Sequence, residues 1–224
     1  MDFVKQLKRW ISTLLVLCLC LSIVPIQAKA ATYATYTGVD FQNASISAQR
    51  KAALTKAMQM VTVKWTCPAD FPTWRSSGGV LNTVVATDGT SSTKFIKGKI
   101  YTGIPYSMAD HTYDDIAWAN AISSGKITTS YMTGSYYGNG STTAHGSDCS
   151  YFVYLALKAA NAGSISYQTT ATMLNSSYYK KIDWSDLKPA DLFLKNGHVM
   201  MFVGMSGSNY AVFAFDMEMY DYCK

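Results

Sequence analysis

Gly146-Ser147-Asp148-Cys149-Ser150-Tyr151-Phe152-Val153 is the stretch on which the reading of this chain turns. Behind it, Tyr151, Phe152, Tyr154, Leu155 and Leu157 to Ala160 read as a helix that begins at the cysteine. The helix stops near Asn161-Ala162-Gly163, because glycine after an Ala-rich run is a termination signal. A cysteine at a helix N-terminus faces unpaired backbone N–H groups and the positive end of the helix dipole. Both favour a thiolate over a thiol, so Cys149 is expected to be an activated nucleophile. The same N–H groups suit the oxyanion of an attacked amide. On position alone, a buried cysteine that caps a helix is the plainer reading.

A second group changes that balance. Asp186-Leu-Lys-Pro-Ala-Asp-Leu-Phe193 leads through Lys195-Asn-Gly197 to His198-Val-Met-Met-Phe-Val-Gly204. Val199 to Val203 reads as an apolar strand, Met205 to Asn209 as a turn and Tyr210 to Phe215 as a second strand. Residues 198–216 are therefore expected to form an antiparallel hairpin. A histidine at the first position of an apolar strand lies at a sheet end, within reach of a neighbouring helix N-terminus. Cysteine followed by such a histidine is the pattern of nucleophile and general base. A five-residue loop would set His198 opposite Asp216, whose carboxylate could orient the imidazole; a one-residue slip would put Phe215 there.

Three segments taken together resemble the NlpC-type family of papain-like cysteine peptidases. They are G-S-D-C-S-Y-F-V, then L-K-P-A-D-L-F, then G-H-V-M-M-F-V-G. The family pattern is D-C-S-G-F, L-x-P-G-D-L and H-V-G-I-Y-x-G, and the resemblance covers about 100–200. It implies an α+β, papain-like fold in which the cysteine helix packs on an antiparallel sheet. It further implies an exported hydrolase acting on peptidoglycan stem peptides, with Cys149 as nucleophile and His198 as general base. Gly103-Ile-Pro105-Tyr106 matches the family's G-x-P-Y context, which implies oxyanion support from Tyr106. Asp148, Ser150 and Tyr151, around the nucleophile, are the expected substrate contacts. The chain departs from the pattern at three places. Tyr151 and Ala190 stand where glycines are usual, and the strand after the His198 strand carries no polar residue before Asp216. A CHAP-type amidase shares the order of Cys and His, and a non-catalytic wall-binding module is the rival from another class. Sixteen tyrosines suit that last role through stacking.

The beginning of the chain reads as an address. Lys5, Lys8 and Arg9 precede a nearly continuous apolar run from Ile11 to Ile26, which is short for a membrane span. Ala28-Lys29-Ala30 fits a signal-peptidase site, so residues 1–30 are expected to be a signal peptide and Ala31 the mature start. Export removes Cys18 and Cys20 and leaves Cys67, Cys149 and Cys223. That odd count means a thiol left over or a bridge to another chain. Cys67 and Cys223 could pair, or all three could be thiols.

Composition narrows the rest. The 224 residues are 49% hydrophobic and only 15% charged, too apolar for a disordered chain. The formal charge of +5 falls to +2 once residues 1–30 are set aside, so no basic patch for nucleic acid is expected. Three histidines with no H-E-x-x-H or C-x-x-C argue against a dedicated metal site. The reading expects no cofactor, no nucleic-acid partner, no membrane association after signal removal, and a monomer. Residues 31–94 are expected to form a region of unknown role, with 31–44 a loose leader, and 95–224 the hydrolase domain. Within them, Ser45 to Met60 reads as a helix capped by Ser47, and Val61 to Trp65 as a strand. Residues 76–93 read as a loop or hairpin excursion, and Asp114 to Ser123 as a helix. His145, four residues before Cys149, is a weak candidate for the site, and His111 has no supporting context.

Overall fold

A computed structural model describes residues 30–72, 83–107, 111–127, 145–160 and 165–214. Residues 1–29, Cys223 and Asp216 lie outside them, and with them nearly all of the expected signal segment, the Cys67–Cys223 pairing and the partner expected for His198.

The fold is α+β, built from helices and antiparallel sheets. The chain enters through a short strand, β1 (Thr32–Tyr33), and a fifteen-residue helix, α1 (Ala48–Thr62). Ser47 caps α1 by accepting a hydrogen bond from the Arg50 N–H at 3.3 Å. The helix runs two residues past its expected end, and β2 (Val63–Thr66) follows directly. In β2, Val63 and Trp65 are buried while Lys64 and Thr66 are exposed, the period-two pattern of a strand with one covered face. β2 is the centre of an antiparallel sheet, with β1 on one side and β7 (Ile100–Thr102) on the other. Between them lie the two-residue strands β3 (Phe71–Pro72), β4 (Val84–Val85), β5 (Ser91–Ser92) and β6 (Lys94–Phe95). β4 and β5 form the hairpin excursion expected within 76–93.

Helix α2 (Asp115–Ser123) is capped by Asp114, which accepts from the Ala117 N–H at 2.7 Å. Helix α3 (Cys149–Ala159) begins at the cysteine, as the sequence indicates. It is followed by α4 (Thr170–Leu174), a 3-10 turn at Trp184–Asp186, and the strands β8 (Leu192–Lys195), β9 (His198–Ser206) and β10 (Asn209–Phe213). These strands make a second antiparallel sheet in the order β10-β9-β8. Phe152, Val153 and Ala156 form the fully buried face of α3. That helix packs against both α1 and β9. Each large side chain so buried contributes roughly 1.5–3 kcal/mol.

Two expectations need correction. Residues 31–44 are not a loose leader. Phe41 is buried against Tyr36 and Phe213, and the Tyr33 hydroxyl donates to Asp115 at 2.6 Å. A segment rich in Thr and Ala is anchored by its three aromatic residues, which no periodicity reveals. The boundary at 94/95 likewise runs through the first sheet, because β2 pairs with β7.

The turn after the His198 strand is also shorter than expected. β9 continues to Ser206 and meets Asn209, so the loop is Gly207-Ser208 rather than five residues. A bulge between Ala211 and Val212 then shifts the register by one. Beyond it, Val212 faces Phe202 and Phe213 faces Met201, which are the pairs a five-residue loop without a bulge would give.

Candidate active site

The peptide around Cys149 is held from two directions. On its N-terminal side, Ser107 N–H donates to Ser147 O and Ser147 N–H donates to Pro105 O, each at 3.0 Å, and Tyr106 forms a parallel bridge with Ser147. The backbones approach so closely that Gly146 admits no side chain: a Cβ there would stand 2.2 Å from Pro105 O. Gly103, at φ +77°, sets the preceding turn, where a Cβ would lie 3.0 Å from Val61 O. The Gly103-Ile-Pro105-Tyr106 motif and the cysteine motif, far apart in sequence, are thus neighbours.

On its C-terminal side, Asp148 caps α3. One carboxylate oxygen accepts from the Tyr151 N–H at 2.7 Å and from the Ser150 hydroxyl at 2.9 Å. The other lies 2.9 Å from His111 Nε2. Burial alone would raise the Asp148 carboxyl, but the bonds from His111, Tyr151 and Ser150 outweigh it and hold it below the usual carboxylate range. Asp148 and Ser150 are both buried and both engaged in the cap, so their polar atoms hold the site together from beneath. Tyr151 is only half-buried, and His111 stacks on its ring at 5.2 Å with 16° between planes.

Tyr167 closes the cluster. Its hydroxyl lies 3.1 Å from Ser150 Oγ, and its ring sits 4.7 Å from His111 and 5.7 Å from Tyr151. Burial raises its pKa above the ordinary tyrosine value; the Ser150 bond opposes this, and the Asp148 and Cys149 charges add to it. Cys149 itself is 5% exposed, at the first turn of α3.

His198 opens β9 directly after a two-residue Asn196-Gly197 turn, with Lys195 paired to it. Asn-Gly is a strong short hairpin signal, and Gly197 supplies a positive φ (87°) at the second turn position. The Gly197 N–H donates to Thr170 Oγ1 at 3.0 Å. The segment from Tyr167 to Thr170 therefore touches the residue after Cys149 at one end and the residue before His198 at the other. Three residues of chain span at most about 10 Å. The helix that starts at Cys149 packs against the strand that starts at His198.

The loop before β8 carries the second departure from the family pattern. Ala190 has φ 75°, the left-handed region that favours glycine, while its N–H donates to Phe202 O at 2.7 Å. Arg50 from α1 stitches this loop down. Its guanidinium donates to Pro189 O at 2.7 Å and pairs with Asp191 at 2.8 Å.

Sequence alone assigns His111, Tyr167 and Thr170 no role at the site. No local signal marks them, since their partners lie 37, 17 and 27 residues away. His145 packs edge-on against Tyr113, with ring centroids 5.7 Å apart. Among the described residues, no group of three or more His, Cys, Asp or Glu side chains is arranged to hold a metal. No family model matches the chain, and neither a curated protein nor a solved structure matches it.

Proposed function

We propose that this chain is an exported cysteine hydrolase of papain-like, NlpC-type architecture, cutting amide bonds in peptidoglycan stem peptides. The observation that carries the reading is the 167–170 segment, tied by Tyr167 to Ser150 and by Thr170 to Gly197, next to the two reactive residues. In this mechanism the Cys149 thiolate attacks the amide carbonyl carbon. The tetrahedral oxyanion is met by backbone N–H groups at the start of α3 and by Tyr106. Collapse breaks the C–N bond as protonated His198 gives its proton to the leaving amine. His198 then takes a proton from water, whose oxygen attacks the thioester, and the acid product leaves as the thiol system is restored.

The experiment is digestion of purified muropeptides with wild type, Cys149→Ala and His198→Ala, read by mass spectrometry. Wild type should convert stem peptides to fragments heavier by one water in sum, and both variants should leave them intact. A CHAP-type amidase would free the stem from the glycan instead. A wall-binding module is the second reading, favoured by Trp184, which is 70% exposed and packs on Phe193 and Tyr210. It predicts retention on insoluble wall with no fragment released by any of the three proteins.

A further inference from the structure

The buried carboxylate of Asp148 poses an electrostatic problem for the proposed nucleophile. It caps α3 and so fixes the helix start, yet it is the immediate neighbour of Cys149. A fixed negative charge beside a thiol opposes its ionisation. Around the carboxylate among the described residues are Tyr151 on α3 itself, His111 ahead of α2 and Tyr167 after α3, and His198 opens β9, the strand that packs on α3. The His111 ring is in direct contact with the carboxylate, at 2.9 Å. Its ring is also fixed in direction, lying nearly parallel to Tyr151 and 4.7 Å from Tyr167.

We propose that His111 is a positioning residue that neutralises Asp148, so that the carboxylate can cap the cysteine helix without repelling the Cys149 thiolate. This inference rests on the reading of Cys149 as the reactive thiol and deepens it. One carboxylate then serves two requirements that would otherwise conflict. Its inner oxygen holds the Tyr151 N–H and the Ser150 hydroxyl, which fixes the first turn of α3. Its outer oxygen is matched by a cation, which removes the like-charge cost at the neighbouring sulfur. The charge of His111 is among the causes that keep the Asp148 carboxyl ionised. The geometry requires no movement, because the imidazole is already stacked and in hydrogen-bond contact.

The test is the pH dependence of Cys149 alkylation by iodoacetamide, followed by peptide mapping, which needs no substrate. His111→Ala should move the midpoint up by about one pH unit and slow alkylation at pH 6.5 by about tenfold. His111→Gln, which can donate a hydrogen bond but carries no charge, should show most of the same shift while keeping the wild-type unfolding midpoint in urea. Asp148→Asn should move the midpoint down, and the double variant His111→Ala/Asp148→Asn should match Asp148→Asn, because the charge to be neutralised is gone. An unshifted profile in His111→Gln, or a double variant as slow as His111→Ala, would overturn the proposal. A wild-type midpoint at the ordinary thiol value would overturn it together with the thiolate reading. Failure to release muropeptide fragments, with these shifts present, would leave His111 in its role and count against the substrate alone.

Discussion

Gly146 and Pro105 stand in backbone contact so close that a single methyl group at 146 would overlap the Pro105 carbonyl oxygen. This contact joins the Tyr106 segment to the cysteine loop through the paired bonds of Ser107 and Ser147. The obstacle is backbone, which cannot rotate aside as a side chain can. Gly146→Ala should therefore lower the unfolding free energy by at least about 2 kcal/mol. It should also slow alkylation of Cys149, measured by urea denaturation and peptide mapping on the same sample.

Ala190 offers the opposite test. An alanine at φ 75° carries about 1–2 kcal/mol of backbone strain, partly offset by the greater entropy glycine loses on folding. Ala190→Gly should raise stability by about 1 kcal/mol, read as a higher urea midpoint with an unchanged slope. The Ala190 N–H bond to Phe202 survives the change, so the strand register should too.

Lys56 holds two carboxylates at the junction of α1 and α2. It pairs with Asp114 at 2.8 Å and with the fully buried Asp115. Burial pulls the Lys56 pKa down and the Asp114 pKa up, but their mutual bonds prevail, so Lys56 is raised above 10.5 and Asp114 lowered below 3.8. A raised lysine stabilises the fold below about pH 10.5, and that share is lost as pH rises through the raised value. A depressed aspartate stabilises it above about pH 4, and that share is lost as pH falls through the lowered value. Lys56→Met should cost about 3 kcal/mol at pH 7, because it strands a buried carboxylate. It should also flatten the alkaline arm of the stability profile, measured by denaturant titrations from pH 3 to 11.

Cys67 provides an internal control. It is 1% exposed, its thiol donates to Ala69 O at 2.8 Å, and burial pushes its pKa up to about 11. At pH 6.5 in the native state it should take up at least about a hundredfold less iodoacetamide than Cys149, and the two should react alike in urea.

Much of this arrangement was legible in the sequence because its causes are local. Ser47, Asp114 and Asp148 each precede a run with helical spacing, and each caps a helix in the fold. The α+β class, which the resemblance of the three motifs implies, is the class of the fold, with its helices and antiparallel sheets. The leader was misread because its anchors, Tyr33 and Phe41, find partners at Asp115 and Phe213, contacts that no window of sequence contains. The loop after β9 was misjudged because a two-residue turn and a distant bulge compensate one another, leaving the far pairs in the expected register. β8 was overlooked although Asn196-Gly197 announces its hairpin. His111 illustrates the general limit: a residue whose role comes from charge at long sequence separation carries no mark in its own neighbourhood.

The central claim is that an acyl group passes through the sulfur of Cys149, and trapping that species tests it most directly. Wild-type protein is mixed with purified stem peptides, quenched in acid within the first turnovers, and digested for mass spectrometry. The account predicts a hydroxylamine-labile adduct, with the mass of the acyl portion of the cleaved peptide, on the fragment containing Cys149. The adduct should be missing in both Cys149→Ala and His198→Ala, because neither variant breaks the C–N bond that creates it. Cleavage of the stem peptides by Cys149→Ala at the wild-type rate, with no adduct on wild type, would contradict it.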